Sequence, residues 1–191
     1  MTGASTGLGL ASAQALAAEG VKVALASRSV DKLAAAAETI DGDVPTIAVD
    51  LACDNSIDAM LQEALTSLSH IDILVANAGG PTPGTFASTG LNLYPAALQL
   101  NLLAHVRMCK ALIPAMQERG WGRVIAITSA TVREPSPKLM LSNTARAGLT
   151  GFLKTTATEV ARDGVTVNSI QPGLHATGRL AEIYEDLDEV A

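Results

Sequence analysis

The feature that most constrains this chain is an alternation. Short apolar runs of strand character take turns with longer runs of helical period along its 191 residues. Residues 21–26, 46–50, 71–76, 123–128 and 165–170 read as strands, because near-continuous apolar runs of this length suit a sheet covered on both faces. Residues 9–18, 30–40, 57–68, 93–119 and 141–162 read as helices. In the third of these, Ile57, Met60, Leu61, Ala64, Leu65 and Leu68 recur on one face. Ser29 is placed to cap the second helix, and Pro114 is expected to bend the fourth. Every crossover is long enough for a right-handed βαβ unit. The expected fold is therefore a single α/β domain over residues 1–191, a doubly wound, Rossmann-like parallel sheet in three layers.

Such sheets bind ligands beyond the carboxyl ends of their strands. Residues 2–9, Arg28, Asp50 with Leu51, residues 77–80, Thr128 with Ser129, and residues 172–177 all fall there. The first of these segments is the most informative. Gly3, Gly7 and Gly9, with Ser5, Thr6 and Leu8 between them, precede an Ala/Leu-rich helix. Glycines allow the backbone to turn tightly and approach a ligand closely. The helix start adds unpaired N–H groups and the positive end of a dipole, which together suit a phosphate or pyrophosphate.

Composition narrows the partners. A formal net charge of −6 argues against nucleic acid, and an apolar content of 48% excludes disorder. No apolar run approaches the ~20 residues of a membrane span, and no signal peptide is visible, so a cytoplasmic location is expected. Cys53 and Cys109 both read as reduced core residues. His70, His105 and His175 lack metal-ligand spacing and read as surface or satisfied core residues, and no metal is expected.

These segments, in this order and spacing, resemble the short-chain dehydrogenase/reductase family over essentially the whole chain. Thr2-Gly3-x-x-x-Gly7-x-Gly9 resembles its cofactor turn, Asp50-Leu51 its adenine contact, and Asn77-Ala78-Gly79 its structural asparagine motif. Asn101 and Ser129 fall where the family keeps a catalytic asparagine and serine. Val167-Asn168, Pro172-Gly173 and Thr177 resemble the segment beside the nicotinamide. The resemblance implies an NAD(P)H-dependent oxidoreductase that interconverts a small carbonyl and an alcohol, 3-oxoacyl thioesters being one common case. NAD-preferring members keep an acidic residue at the end of the second strand, where this chain has Ser27 and Arg28. A guanidinium pairs with a 2′-phosphate that a carboxylate would repel, so NADP(H) is favoured over NAD(H). The helices at 93–119 and 141–162 resemble those through which family members pair, and their small residues (Ala145, Ala147, Gly148, Ala157) point to a homodimer or homotetramer.

The chain also departs from the family. Where the catalytic Tyr-x-x-x-Lys pair belongs, it has Ser142 and Arg146. Its tyrosines, Tyr94 and Tyr184, fit no such motif. An aliphatic hydroxyl is a far weaker acid than a tyrosine, and arginine stays protonated. Ser142 therefore cannot simply replace a tyrosine. Arg146 retains a cation, is expected to bond the cofactor ribose, and with Ser129 can steady an oxyanion. Ser142 and Arg146, one helical turn apart, share a face. The proton is then expected through water held by Asn101 or Ser142. The expected catalytic set is Ser129, Ser142, Arg146 and Asn101. The alternative is a nucleotide-binding protein of little turnover on the same scaffold. Relative to the family, the first strand and the C-terminal elements are expected to be incomplete.

Overall fold

The structure, a computed structural model, describes residues 1–178 and Leu180. Its strands are β1 (Leu25–Ser27), β2 (Thr46–Ala48), β3 (Ile73–Ala76), β4 (Gly122–Ile127) and β5 (Val165–Ile170). The helices are α1 (Gly7–Ala18), α2 (Val30–Ala37), α3 (Asp54–Leu68), α4 (Tyr94–Leu98), α5 (Ala104–Glu118) and α6 (Met140–Val160). All strand pairs are parallel: β1 with β2, β3 with β4, and β4 with β5.

The two halves of the sheet are joined through the start of the chain. Thr2 bridges to Ala26 in the parallel sense. Its N–H donates to the Val75 carbonyl at 3.1 Å, while the Ala26 N–H donates to the Met1 carbonyl at 2.9 Å. Residues 1–4 thus occupy the lane between β1 and β3, giving the order β2, β1, residues 1–4, β3, β4, β5.

Alternation along β1 explains the layers. Val23 and Leu25 turn to one side with Ala13 of α1 and with Leu33 and Ala36 of α2. Ala24 and Ala26 turn to the other, into the main core with residues of α3, α5 and α6. A strand with helices on both faces must be apolar at successive positions, which is the pattern of residues 23–26. The three-layer expectation holds over this half. At β5 one face carries α6, while Thr166, Asn168 and Ile170 are outward and at least partly exposed. Among the described residues, the second layer of helices does not extend over that face.

Three local expectations need correction. The first two strands are shorter than their apolar runs. The Leu25 N–H finds the Pro45 carbonyl, and the ladder with β2 starts only at Leu25, so residues 21–24 lie outside it. The long helix predicted at 93–119 is interrupted by a π turn at Gln99–Leu103; Pro114 sits four turns or so further on, inside α5. Finally, Cys53, expected in the core with Cys109, is exposed and only Cys109 is buried; of the small residues on α6, Ala145 is fully buried, Ala157 is half-buried, and Ala147 and Gly148 are exposed.

Candidate functional site

The predicted loops meet at the carboxyl ends of the strands, and polar side chains tie them together. The Thr2 hydroxyl is buried and bonds twice to one residue. It donates to the Asn77 carbonyl at 2.8 Å and accepts from the Asn77 N–H at 2.9 Å. The Asn77 amide in turn donates to the Gly3 carbonyl at 3.1 Å. The glycine turn and the segment after β3 are therefore one unit. Asn77 was legible in the sequence; Thr2 was read only as the start of the turn motif, because a threonine beside a glycine turn gives no hint of a partner seventy-five residues away.

The turn itself requires its glycines. Gly3 and Gly7 both have φ +57°, a region that strains residues with a Cβ. At Gly9 a Cβ would lie 2.0 Å from the Gly3 carbonyl oxygen. Helix α1 opens at Gly7, and Thr6 makes no side-chain cap, so the first N–H groups of the helix stay open toward the crevice. Ser5 and Leu8 flank that opening half-buried, and Thr6 is exposed. Thr177 stands over the turn, its methyl 3.6 Å from where a Cβ on Gly7 would lie. Pro172 comes to the same place, since its carbonyl accepts from the Ala130 N–H at 2.9 Å, while Gly173 is exposed beside it.

At the end of β1, Arg28 is exposed, and the Ser27 hydroxyl beside it is buried without a hydrogen-bond partner among the described residues. At the end of β2, Asp50 accepts from the Ala52 N–H at 3.0 Å, which shapes the turn, and Leu51 is buried. Ala78 is buried after β3, and Gly79 is exposed.

The centre of the site is Arg146. Its guanidinium is buried and faces the end of β4, donating to the Ile127 and Thr128 carbonyls at 3.0 and 3.1 Å. Nε donates to the Ser142 hydroxyl at 3.2 Å, and the far nitrogen reaches the Ala78 carbonyl at 3.5 Å. The shared face of Ser142 and Arg146 is thus observed. The guanidinium aims inward: the donors named above bind carbonyls of the sheet end and Ser142.

Ser129 is half-buried at the end of β4. Its hydroxyl oxygen accepts from the Thr131 N–H at 3.2 Å and from the Thr131 hydroxyl at 3.0 Å. Ser129 and Ser142 therefore both have oxygens engaged as acceptors, which leaves each O–H able to point at a substrate oxygen. Thr131 went unnoticed in the sequence, although a hydroxyl two residues past a strand-end serine is a known local partner.

Asn101 lies on the π turn and is fully buried. His105, read from sequence as a satisfied core or surface residue, is fully buried, and neither ring nitrogen makes a well-formed hydrogen bond among the described residues. Burial and the charge of Arg146 push its pKa down to about 4. His175 is exposed, its ring near the Gly173 carbonyl. Among the described residues no His/Cys/Asp/Glu cluster suits a metal, and no helix is long and apolar enough to cross a membrane. Tyr184 lies outside the described residues.

Comparison with known proteins agrees with this geometry. The short chain dehydrogenase family matches residues 1–188. A 3-oxoacyl-[acyl-carrier-protein] reductase of Synechocystis is 36% identical over 93% of this chain and 73% of its own length. Nodulation protein G of Azospirillum brasilense is 35% identical over 98% of this chain and 78% of its own. Among solved structures, L-sorbose reductase from Gluconobacter frateurii, complexed with NADPH and L-sorbose, superposes with a TM-score of 0.87 at 36% identity, over 93% of this chain and 69% of that one.

Proposed function

The chain belongs to the short chain dehydrogenase family, and from that premise we propose how its own residues carry out the family's chemistry. It is an oxidoreductase that interconverts a carbonyl and an alcohol with a nicotinamide dinucleotide. Its residues fit that cofactor. The open N–H groups at the start of α1 suit a diphosphate, and the approach of Gly9 to Gly3 leaves no room for a Cβ. When bound, the nicotinamide supplies the hydride for reduction or takes it up in oxidation.

The observation that carries the mechanism is the bond from Arg146 Nε to the Ser142 hydroxyl at 3.2 Å. It turns the Ser142 oxygen into an acceptor and frees its hydrogen. Thr131 does the same for Ser129. The two O–H groups then donate to one carbonyl oxygen and steady the charge that grows there as the hydride reaches carbon. The buried guanidinium adds a fixed positive charge beneath them. Neither serine is acidic enough to lose its proton outright, so the proton that completes the alcohol comes through a hydroxyl from water, which restores the serine in the same relay.

NADP(H) is the favoured form in this reading. Arg28 is exposed at the end of β1, free to swing onto a 2′-phosphate, and the unpartnered Ser27 hydroxyl lies beside it. The substrate class is a carbonyl compound, with 3-oxoacyl thioesters and ketoses the first to try, after the names of two relatives. A cytoplasmic homodimer or homotetramer, associating through the outer faces of α5 and α6, completes the proposal. An unchanged oligomer in Ala147→Glu would remove the α6 face from it.

The alternative, a dinucleotide-binding protein with little turnover, draws on one observation: Ser142 is buried and lacks the reach of a tyrosine. NADPH oxidation on a carbonyl panel decides between them. The enzyme reading expects turnover that falls about tenfold or more in Ser142→Ala with NADPH affinity unchanged. Tight NADPH binding without turnover on any carbonyl supports the alternative.

A further inference from the structure

Beneath the crevice, two polar side chains stand one turn apart on the same stretch of helix. Asn101 lies on the π turn, and His105 lies at the start of α5. Both are fully buried, and none of their four side-chain nitrogen and oxygen atoms makes a well-formed hydrogen bond among the described residues, the Ala76 carbonyl being a weak neighbour of the His105 ring. Their helical neighbours Ala104, Met108 and Cys109 are buried and apolar. A valine would suit such surroundings better than an imidazole. Buried polar groups without partners are rare in folded proteins, and two together, one on a π turn and one just after it, point to a built feature.

We propose that His105 is a positioning residue: its neutral ring and the Asn101 amide hold one buried water between them, and this fixes Asn101 at the crevice floor. The proposal rests on the reductase reading given above. The chemistry of the pair fits one water. A neutral imidazole offers one N–H and one lone pair, and the amide offers two N–H groups and a carbonyl. A water needs two to four such partners.

The surroundings keep the ring neutral. Burial is the main cause, the charge of Arg146 on α6 acts in the same direction, and the Ala76 carbonyl at the end of β3 opposes both weakly. An imidazolium would have no lone pair for the water, so neutrality is what the arrangement needs. It also means that His105 does not itself supply the proton. Its effect passes through Asn101 and the segment at residues 76–78, whose Ala78 carbonyl meets Arg146.

The test uses the whole chain and two kinds of variant. His105→Val removes both polar atoms; it is expected to keep its melting temperature and to hold NADPH within about twofold of the parent. Its kcat is expected to fall about tenfold or more, with KM within about threefold, and His105→Gln is expected to recover most of that loss. Unchanged kcat in His105→Val overturns the proposal. A second readout is independent of turnover. In ¹⁵N-histidine spectra the His105 ring stays neutral at pH 6, and its nitrogen shifts move in Asn101→Leu and in the milder Asn101→Ser. Unmoved ring signals in both overturn the proposal. If the parent oxidises no NADPH, the reductase reading fails, while the ring signals still decide the fate of the pair.

Discussion

The two ends of the central lane of the sheet are built in opposite ways. At the carboxyl end, residues 2–4 meet a dense set of polar contacts: Thr2 with Asn77, Asn77 with Gly3, Arg146 with the end of β4. At the amino end the lane is an apolar pocket lined by residues such as Leu16, Val23, Met60, Leu61, Leu68 and Leu74. The α-ammonium of Met1 is buried at its head and donates to the Ala24 carbonyl at 3.0 Å. One end is specified by hydrogen bonds between residues far apart in sequence. The other presents an apolar lining around a charge. Site geometry and fold stability therefore hang on the same four residues, approached from opposite sides.

The comparison can be broken most sharply at the crevice end. Gly9→Ala forces a Cβ into the Gly3 carbonyl, a backbone contact that cannot yield as a side chain could. It is expected to weaken NADPH binding by about a hundredfold or more, read by nicotinamide fluorescence. Thr2→Val keeps the shape of the side chain and removes the hydroxyl. It leaves the Asn77 N–H and carbonyl without that partner, and is expected to cost about 2–4 kcal/mol in urea denaturation.

The amino end makes smaller and reversed predictions. Burial lowers the pKa of the Met1 amine from 8.0 to about 6. Between those values the unfolded chain binds more protons than the folded one, so stability rises with pH across this window. The rise is expected to be about 2 kcal/mol between pH 6 and 8, measured by denaturation at each pH. Acetylating the amine should flatten that slope.

The same contrast separates what the sequence could convey. Helix α3 was legible because it is long enough for its apolar period to show, and α1 because an Ala/Leu-rich run follows the glycine turn. The crevice was legible as a set of loops because strand ends and glycines mark it. Strand lengths were not, since a ladder depends on what lies in the next lane, as residues 21–24 illustrate. The spacing of Ser142 and Arg146 foretold their contact, but not the inward aim of the guanidinium, which the carbonyls of Ile127 and Thr128 determine. The π turn left no mark in composition, and so the depth of Asn101 and the isolation of His105 could not be read from spacing alone.

The account stands most directly on the serine at the end of β4. The deciding measurement is the initial rate of NADPH oxidation with a carbonyl panel, in the parent chain and in Ser129→Ala. The predicted result is turnover in the parent and a loss of about a hundredfold or more in Ser129→Ala. Equal rates in the two proteins would contradict it.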